Sequence, residues 1–201
     1  NDRNMSAIVS SPTGYHFCAL QDIYSGDAVC WGRGDFGQMA RGNTENVGDS
    51  TSRPVSFSVR AYLSAQPAVQ LAAGDFHSCS LTNLGKVYCW GRGADGALGY
   101  GNNQNIGDDP DNTPNWQWPI QLPGDQNAIA VYAGARQTCA VTESGSLYCW
   151  GTNDVGQLGY NHTDMLGRHP DRSVASLPPV SLPSTAAIKD VQLGGTATCV
   201  L

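Results

Sequence analysis

The chain has 201 residues, among them 24 glycines and 11 prolines, carries a net charge of -6, and only 14% of its residues are charged. Without a basic stripe it is not expected to bind nucleic acid, and without a run of eighteen apolar residues it offers no helical membrane span. Glycine and proline spread this evenly disfavour long helices, and no segment of ten or more residues spaces its apolar positions by three and four.

The predicted elements come as four copies of one phrase. The first copy runs Gly14-Tyr15-His16-Phe17-Cys18-Ala19-Leu20, then Val29-Cys30-Trp31-Gly32, with a turn two residues longer than the others. The second is the most regular: Ala73-Gly74-Asp75-Phe76-His77-Ser78-Cys79-Ser80-Leu81, then Val87-Tyr88-Cys89-Trp90-Gly91 and Gly96-Ala97-Leu98-Gly99-Tyr100. The third repeats it through Cys139, Leu147-Tyr148-Cys149-Trp150-Gly151 and Gly156-Gln157-Leu158-Gly159-Tyr160, and the fourth reaches only Cys199-Val200-Leu201. Leading cysteines at 18, 79, 139 and 199 give steps of 61, 60 and 60. A period this regular marks an array of one supersecondary unit.

Within a unit, 69–72, 78–82 and 86–90 are short, bounded by glycine, and rich in β-branched, aromatic and cysteine residues, so they read as strands. A hairpin looping through Asn83-Leu84-Gly85 sets Cys79 opposite Cys89, with Gly85 in the left-handed conformation that such a loop requires. The same arithmetic sets Cys139 opposite Cys149. On this register Cys79, Leu81, Val87 and Cys89 share one face and Ser80 and Tyr88 the other. A fourth strand is expected at Pro54-Val55-Ser56-Phe57, Pro119-Ile120-Gln121-Leu122 and Pro179-Val180-Ser181-Leu182. Four antiparallel strands at this period predict an all-β fold, a β-propeller. The blades fall at 1–60, 61–121 and 122–182, with the start of a fourth at 183–201. Closed propellers have four to eight blades, so the polypeptide is expected to continue beyond residue 201.

The pattern Gly-x-x-His-x-Cys-x-Leu, Gly-x-Val-Tyr-x-Trp-Gly, Gly-x-Leu-Gly resembles the repeat of the regulator of chromosome condensation family and covers nearly the whole chain. The resemblance implies a seven-bladed propeller. It does not choose a function, because the family includes an exchange factor for a small GTPase, a plant ultraviolet-B photoreceptor, receptor-kinase ectodomains and a secreted enzyme inhibitor. Light sensing is not expected, since the photoreceptor's Gly-Trp-Arg-His-Thr motif is absent.

The cysteines bear on compartment. Nine residues separate the members of two pairs and eleven those of the first, against two to four in zinc sites. The pairs Cys18 with Cys30, Cys79 with Cys89 and Cys139 with Cys149 are therefore read as disulfides, the alternative being buried thiols. Disulfides imply an oxidising location, secreted or on the cell surface. Cys199 holds the first position of a fourth pair, whose second member would lie beyond Leu201. No leader-like apolar stretch opens the chain, so an exported form would have its signal removed or upstream. Asn4 and Asn161 begin glycosylation sequons.

The loops after each Gly-x-Leu-Gly or its counterpart carry a shared Gly-Asn-x-x-x-Val/Ile-Gly-Asp core in two copies. Asp108, Asp109 and Asp111 could give oxygens to calcium, against the alternative of side chains capping turns. Trp116 and Trp118 fall outside the repeat pattern and suit either a partner anchor or packing under a loop. His16 and His77 sit at a repeat position that suggests a buried hydrogen-bonding role. No nucleophile elbow, phosphate loop or zinc-protease helix is present. The expected function is a non-enzymatic extracellular binding or scaffold module for a protein or glycan. Its alternatives are a guanine-nucleotide exchange factor for a small GTPase and a secreted enzyme or enzyme-inhibitor domain.

Overall fold

The computed structural model describes residues 5–22, 27–53, 55, 66–114, 119–184 and 186–201. Three sheets of three antiparallel strands follow one another: β1 (Ala7–Ser10), β2 (His16–Asp22) and β3 (Asp27–Gly32); β4 (Ala68–Ala73), β5 (His77–Thr82) and β6 (Val87–Gly91); β7 (Ala128–Ala133), β8 (Gln137–Thr142) and β9 (Leu147–Gly151). A fourth opens with β10 (Val191–Leu193) and β11 (Thr198–Val200). First strands of successive sheets touch, β1 on β4, β4 on β7 and β7 on β10, as the inner strands of a propeller do.

The hairpin register is the expected one. Cys79 pairs with Cys89 and Leu81 with Val87, and Gly85 turns the loop at φ 73°. Both faces of the β4–β6 sheet are buried, because it lies between the first and third blades; Cys79, Ser80 and Trp90 are all fully covered. The inner strands hold a feature that alternation alone did not show. The register shifts between Ala68 and Gln70, and again between Ala128 and Ala130. A β-bulge re-aims the residue it inserts, and Val69 and Ile129 are 44% and 57% exposed.

The fourth strand is replaced by point contacts. On the outer edge of β6, the Ile120 amide donates to Val87 O at 2.9 Å, the Cys89 amide donates to the Tyr100 hydroxyl at 3.2 Å, and Gly91 bridges Ile106. Val180, Tyr160 and Leu166 repeat the arrangement on β9. Pro119 and Pro179 lack the amide a ladder needs, so their segments touch the edge once. Of the first such segment only Val55 is among the described residues. Tyr100→Phe is expected to cost about 1–2 kcal/mol, since it leaves a buried amide without its acceptor; urea denaturation of the variant checks this.

The seams between blades use the repeat residues. Trp90 Nε1 donates to Gln38 O of the preceding blade at 2.8 Å, and Trp150 Nε1 to Ala97 O at 2.9 Å. His16 Nε2 meets Ser78 Oγ at 2.8 Å and His77 Nε2 meets Thr138 Oγ1 at 2.9 Å. Along the inner edge, the Gln70 amide donates to Val131 O and accepts from Val131 N. Ser11 and Thr13 both donate to the Asp75 carboxylate of the next blade.

Candidate interaction surface

The residues singled out by the sequence divide into structural and peripheral groups. Cys18–Cys30, Cys79–Cys89 and Cys139–Cys149 are disulfides, each with Cα atoms 4.1 Å apart. The Cys89 and Cys149 amides point outward to tyrosine hydroxyls, which makes these non-hydrogen-bonded strand pairs, the closer-spaced kind. Cys199 is an exposed free thiol. Asp108 accepts from the Asn105 and Asn112 side-chain amides, and Asp109 caps the single helical turn Pro110–Asn112 through the Asp111 amide. Their oxygens serve turns, and Asp111 is exposed. Among the described residues no group of three or more histidines, cysteines, aspartates or glutamates is placed to hold a metal. Asn161 is exposed, at φ 60°. Trp116, Trp118 and Asn4 lie outside the described residues.

His16 and His77 are buried seam residues. Burial pushes the His16 imidazole down to about 4 against an upward pull from Asp75. Burial pushes His77 to about 3, with His16 adding to the depression and Asp75 opposing it. Both are neutral at pH 7.

A surface that the loop-based reading did not reach lies at the end of the sheets opposite the hairpin tips. There the turn before each histidine meets the residue after each Trp-Gly: Arg33 N donates to Tyr15 O and Arg92 N to Phe76 O, both at 2.9 Å. Phe36 of the first blade packs edge-on against Phe76 of the second, with centroids 5.6 Å apart. The Arg92 guanidinium lies over both rings, at 5.2 and 5.4 Å, and is tied to Asp95 at 3.5 Å. Arg33 lies 5.8 Å over Tyr15 and pairs with Asp35 at 2.6 Å. Tyr15 is 67% exposed. The result is an aromatic rim whose arginines are held in place by rings and carboxylates, the side-chain types that dominate binding hot spots.

A signal for it was present in the sequence. The columns Tyr15/Phe76/Arg136 and Arg33/Arg92/Thr152 vary inside a frame that otherwise repeats. Repeated residues build seams, whereas varied large residues at one end are free to differ.

Models of the regulator of chromosome condensation (RCC1) repeat match residues 25–81, 85–141 and 144–201, and a second model of that repeat matches 68–97 and 128–157. The chain belongs to this family. Each longer match starts at or before the last strand of one sheet and reaches the middle strand of the next, so the sequence repeat is offset from the sheet. Human E3 ubiquitin-protein ligase HERC2 is 30% identical over 166 residues, covering 81% of this chain and 3% of that protein. The ultraviolet-B receptor UVR8 of Arabidopsis thaliana is 36% identical over 153 residues, covering 76% of this chain and 29% of the receptor. Yeast RCC1 (Prp20), solved bound to Kap60, superposes with a TM-score of 0.66 at 23% identity over 98% of this chain and 41% of its own, a likeness of fold. The chain thus spans under a third of these curated relatives.

Proposed function

We propose that this chain is part of a non-enzymatic binding propeller that works outside the cytosol and holds a protein partner on the rim of Tyr15, Phe36, Phe76 and Arg92. The rim carries the reading: aromatic rings and arginines are gathered across two blades with their charges already balanced by Asp35 and Asp95. Such a surface suits contact area over charge recognition. The three disulfides support the extracellular placement, since bonds of this kind persist in oxidising compartments. They weigh against the exchange-factor alternative, which would work in a reducing one. Yeast RCC1, which shares this fold, was solved with a protein, Kap60, bound to it.

The test places a photo-crosslinking side chain at Tyr15 on the rim or at Leu84, which is 57% exposed at the opposite end, with irradiation in the native extracellular medium. Protein adducts from position 15 and none from position 84 are expected; adducts from position 84 alone would refute the rim. With that partner in hand, Arg92→Ala is expected to weaken binding about 30-fold, a hot-spot loss of about 2 kcal/mol, measured by titration calorimetry on folded protein.

A further inference from the structure

The arginines at the rim end of the blades stand in different surroundings. Arg33 is held by Asp35 and Arg92 by Asp95, each within its own turn. Arg92 also lies over the rings of Phe36 and Phe76, with its side chain 29% exposed and that of Asp95 only 12%. The seam between the first two blades therefore ends in a largely apolar patch whose charges are already answered. Arg136 takes the place that Phe76 has one blade earlier: Thr152 N donates to Arg136 O at 3.0 Å, as Arg92 N does to Phe76 O. It is exposed, and among the described residues no ring or carboxylate pairs with it.

The carboxylates of the adjoining turns are committed elsewhere. Asp95, at the second-blade position of Phe36, holds Arg92. Asp154 accepts from Gln157 Nε2 at 3.0 Å, and Asp75 accepts from the Ser11 and Thr13 hydroxyls. Arg136 and Phe76 are nevertheless neighbours. Asp75 N donates to Ala135 O at 3.0 Å, and a Cβ on Gly74 would come within 2.4 Å of Gly134 O, so the turns that carry the two side chains touch. An apolar patch and an uncompensated cation thus lie on adjoining turns of one face.

We infer that the partner on the rim is a protein segment that sets an apolar side chain on Phe36 and Phe76 and an acidic side chain against Arg136. This rests on the rim reading and adds the chemistry that the rim selects. The ring pair decides the first contact, since edge-on phenyl rings present apolar area that an apolar side chain covers best. Charge complementarity decides the second. An uncompensated surface cation attracts an anion and turns away a second cation, whereas the charges of Arg33 and Arg92 are cancelled within the chain. A sulfated glycan is a poorer occupant. A polyanion gains affinity with each free cation it meets, and of the arginines named here only Arg136 is free of a carboxylate.

A random peptide library displayed on phage and panned on the folded natural protein tests this before the partner is known. Enriched peptides are expected to carry Asp or Glu close to an aromatic or large aliphatic residue. Their affinity is expected to fall about tenfold in Arg136→Glu, where an exposed ion pair becomes a like-charge pair, and the loss to shrink in about 1 M salt. Panning on Arg136→Glu is expected to enrich Lys or Arg in the same place. Exposed and unpaired among the described residues, Arg136 is free to change without loss of the fold. Peptides that lose binding to Phe76→Ala but ignore Arg136→Glu overturn this inference and leave the rim standing. Peptides indifferent to both variants bind elsewhere and overturn the rim as well. Heparin bound through Arg136, with no acidic preference among the peptides, would assign the position to a glycan and overturn the stated occupant, as would self-association that Arg136→Glu abolishes.

Discussion

Reduction of the three hairpin disulfides is expected to bring the protein to the edge of unfolding. Each bond closes a loop with a sequence separation of 10 or 12 residues, and a loop of that size contributes about 2.7 kcal/mol in the chain-entropy model, hence about 8 kcal/mol for three. That is comparable with the whole stability of a typical domain, about 5–15 kcal/mol. The six cysteines are almost wholly buried, so the reduced thiols keep their apolar contacts and the loss falls mainly on the unfolded chain. Urea denaturation with and without a phosphine reductant measures it. A large fall in the midpoint is predicted; an unchanged midpoint would mean that the bonds add nothing to a fold already held by its seams.

Acid is expected to destabilise the protein steeply below about pH 6.5. His16 and His77 are neutral and buried in the folded state, with pKa values depressed to about 4 and about 3, whereas in the unfolded chain each titrates near 6.5. Between those limits the unfolded state binds more protons, so stability falls as pH falls; above 6.5 these groups impose no pH dependence. Within that window each histidine adds a slope that approaches, and does not exceed, about 1 kcal/mol per pH unit. Glutamine at both positions should flatten the slope, because Gln137 already occupies the equivalent site in the third blade and donates to Ala197 O across the next seam. If the double variant keeps the wild-type acid slope, as measured by chemical denaturation across pH 4 to 8, the seam histidines are not its source.

The register of the blades was legible in the sequence because three constraints agree. The cysteine pairs, the hairpin glycines and the alternation of apolar residues all centre on the same turn position. The outermost strand was not legible. The segment Pro119-Ile120-Gln121-Leu122 has strand composition, but its proline removes a donor, and the edge it would cover is already met by Tyr100 and Ile106. The bulges at Val69 and Ile129 were also hidden, because one inserted residue leaves the repeat period intact. The rim stayed unread for a different reason. Attention to long polar loops selects residues such as Asp108 and Asp109, whose oxygens prove to be committed to turn amides. Phe36, Phe76 and Arg92 lie far apart in sequence and meet only where two blades adjoin.

The extracellular binding reading rests most heavily on the oxidation state of the natural protein. Its direct test is alkylation of protein taken from its native setting, under denaturing conditions, with intact mass determined before and after reduction. The account predicts that Cys18, Cys30, Cys79, Cys89, Cys139 and Cys149 resist alkylation until reduced. Ready alkylation of all six without reductant would contradict it and return the protein to a reducing compartment.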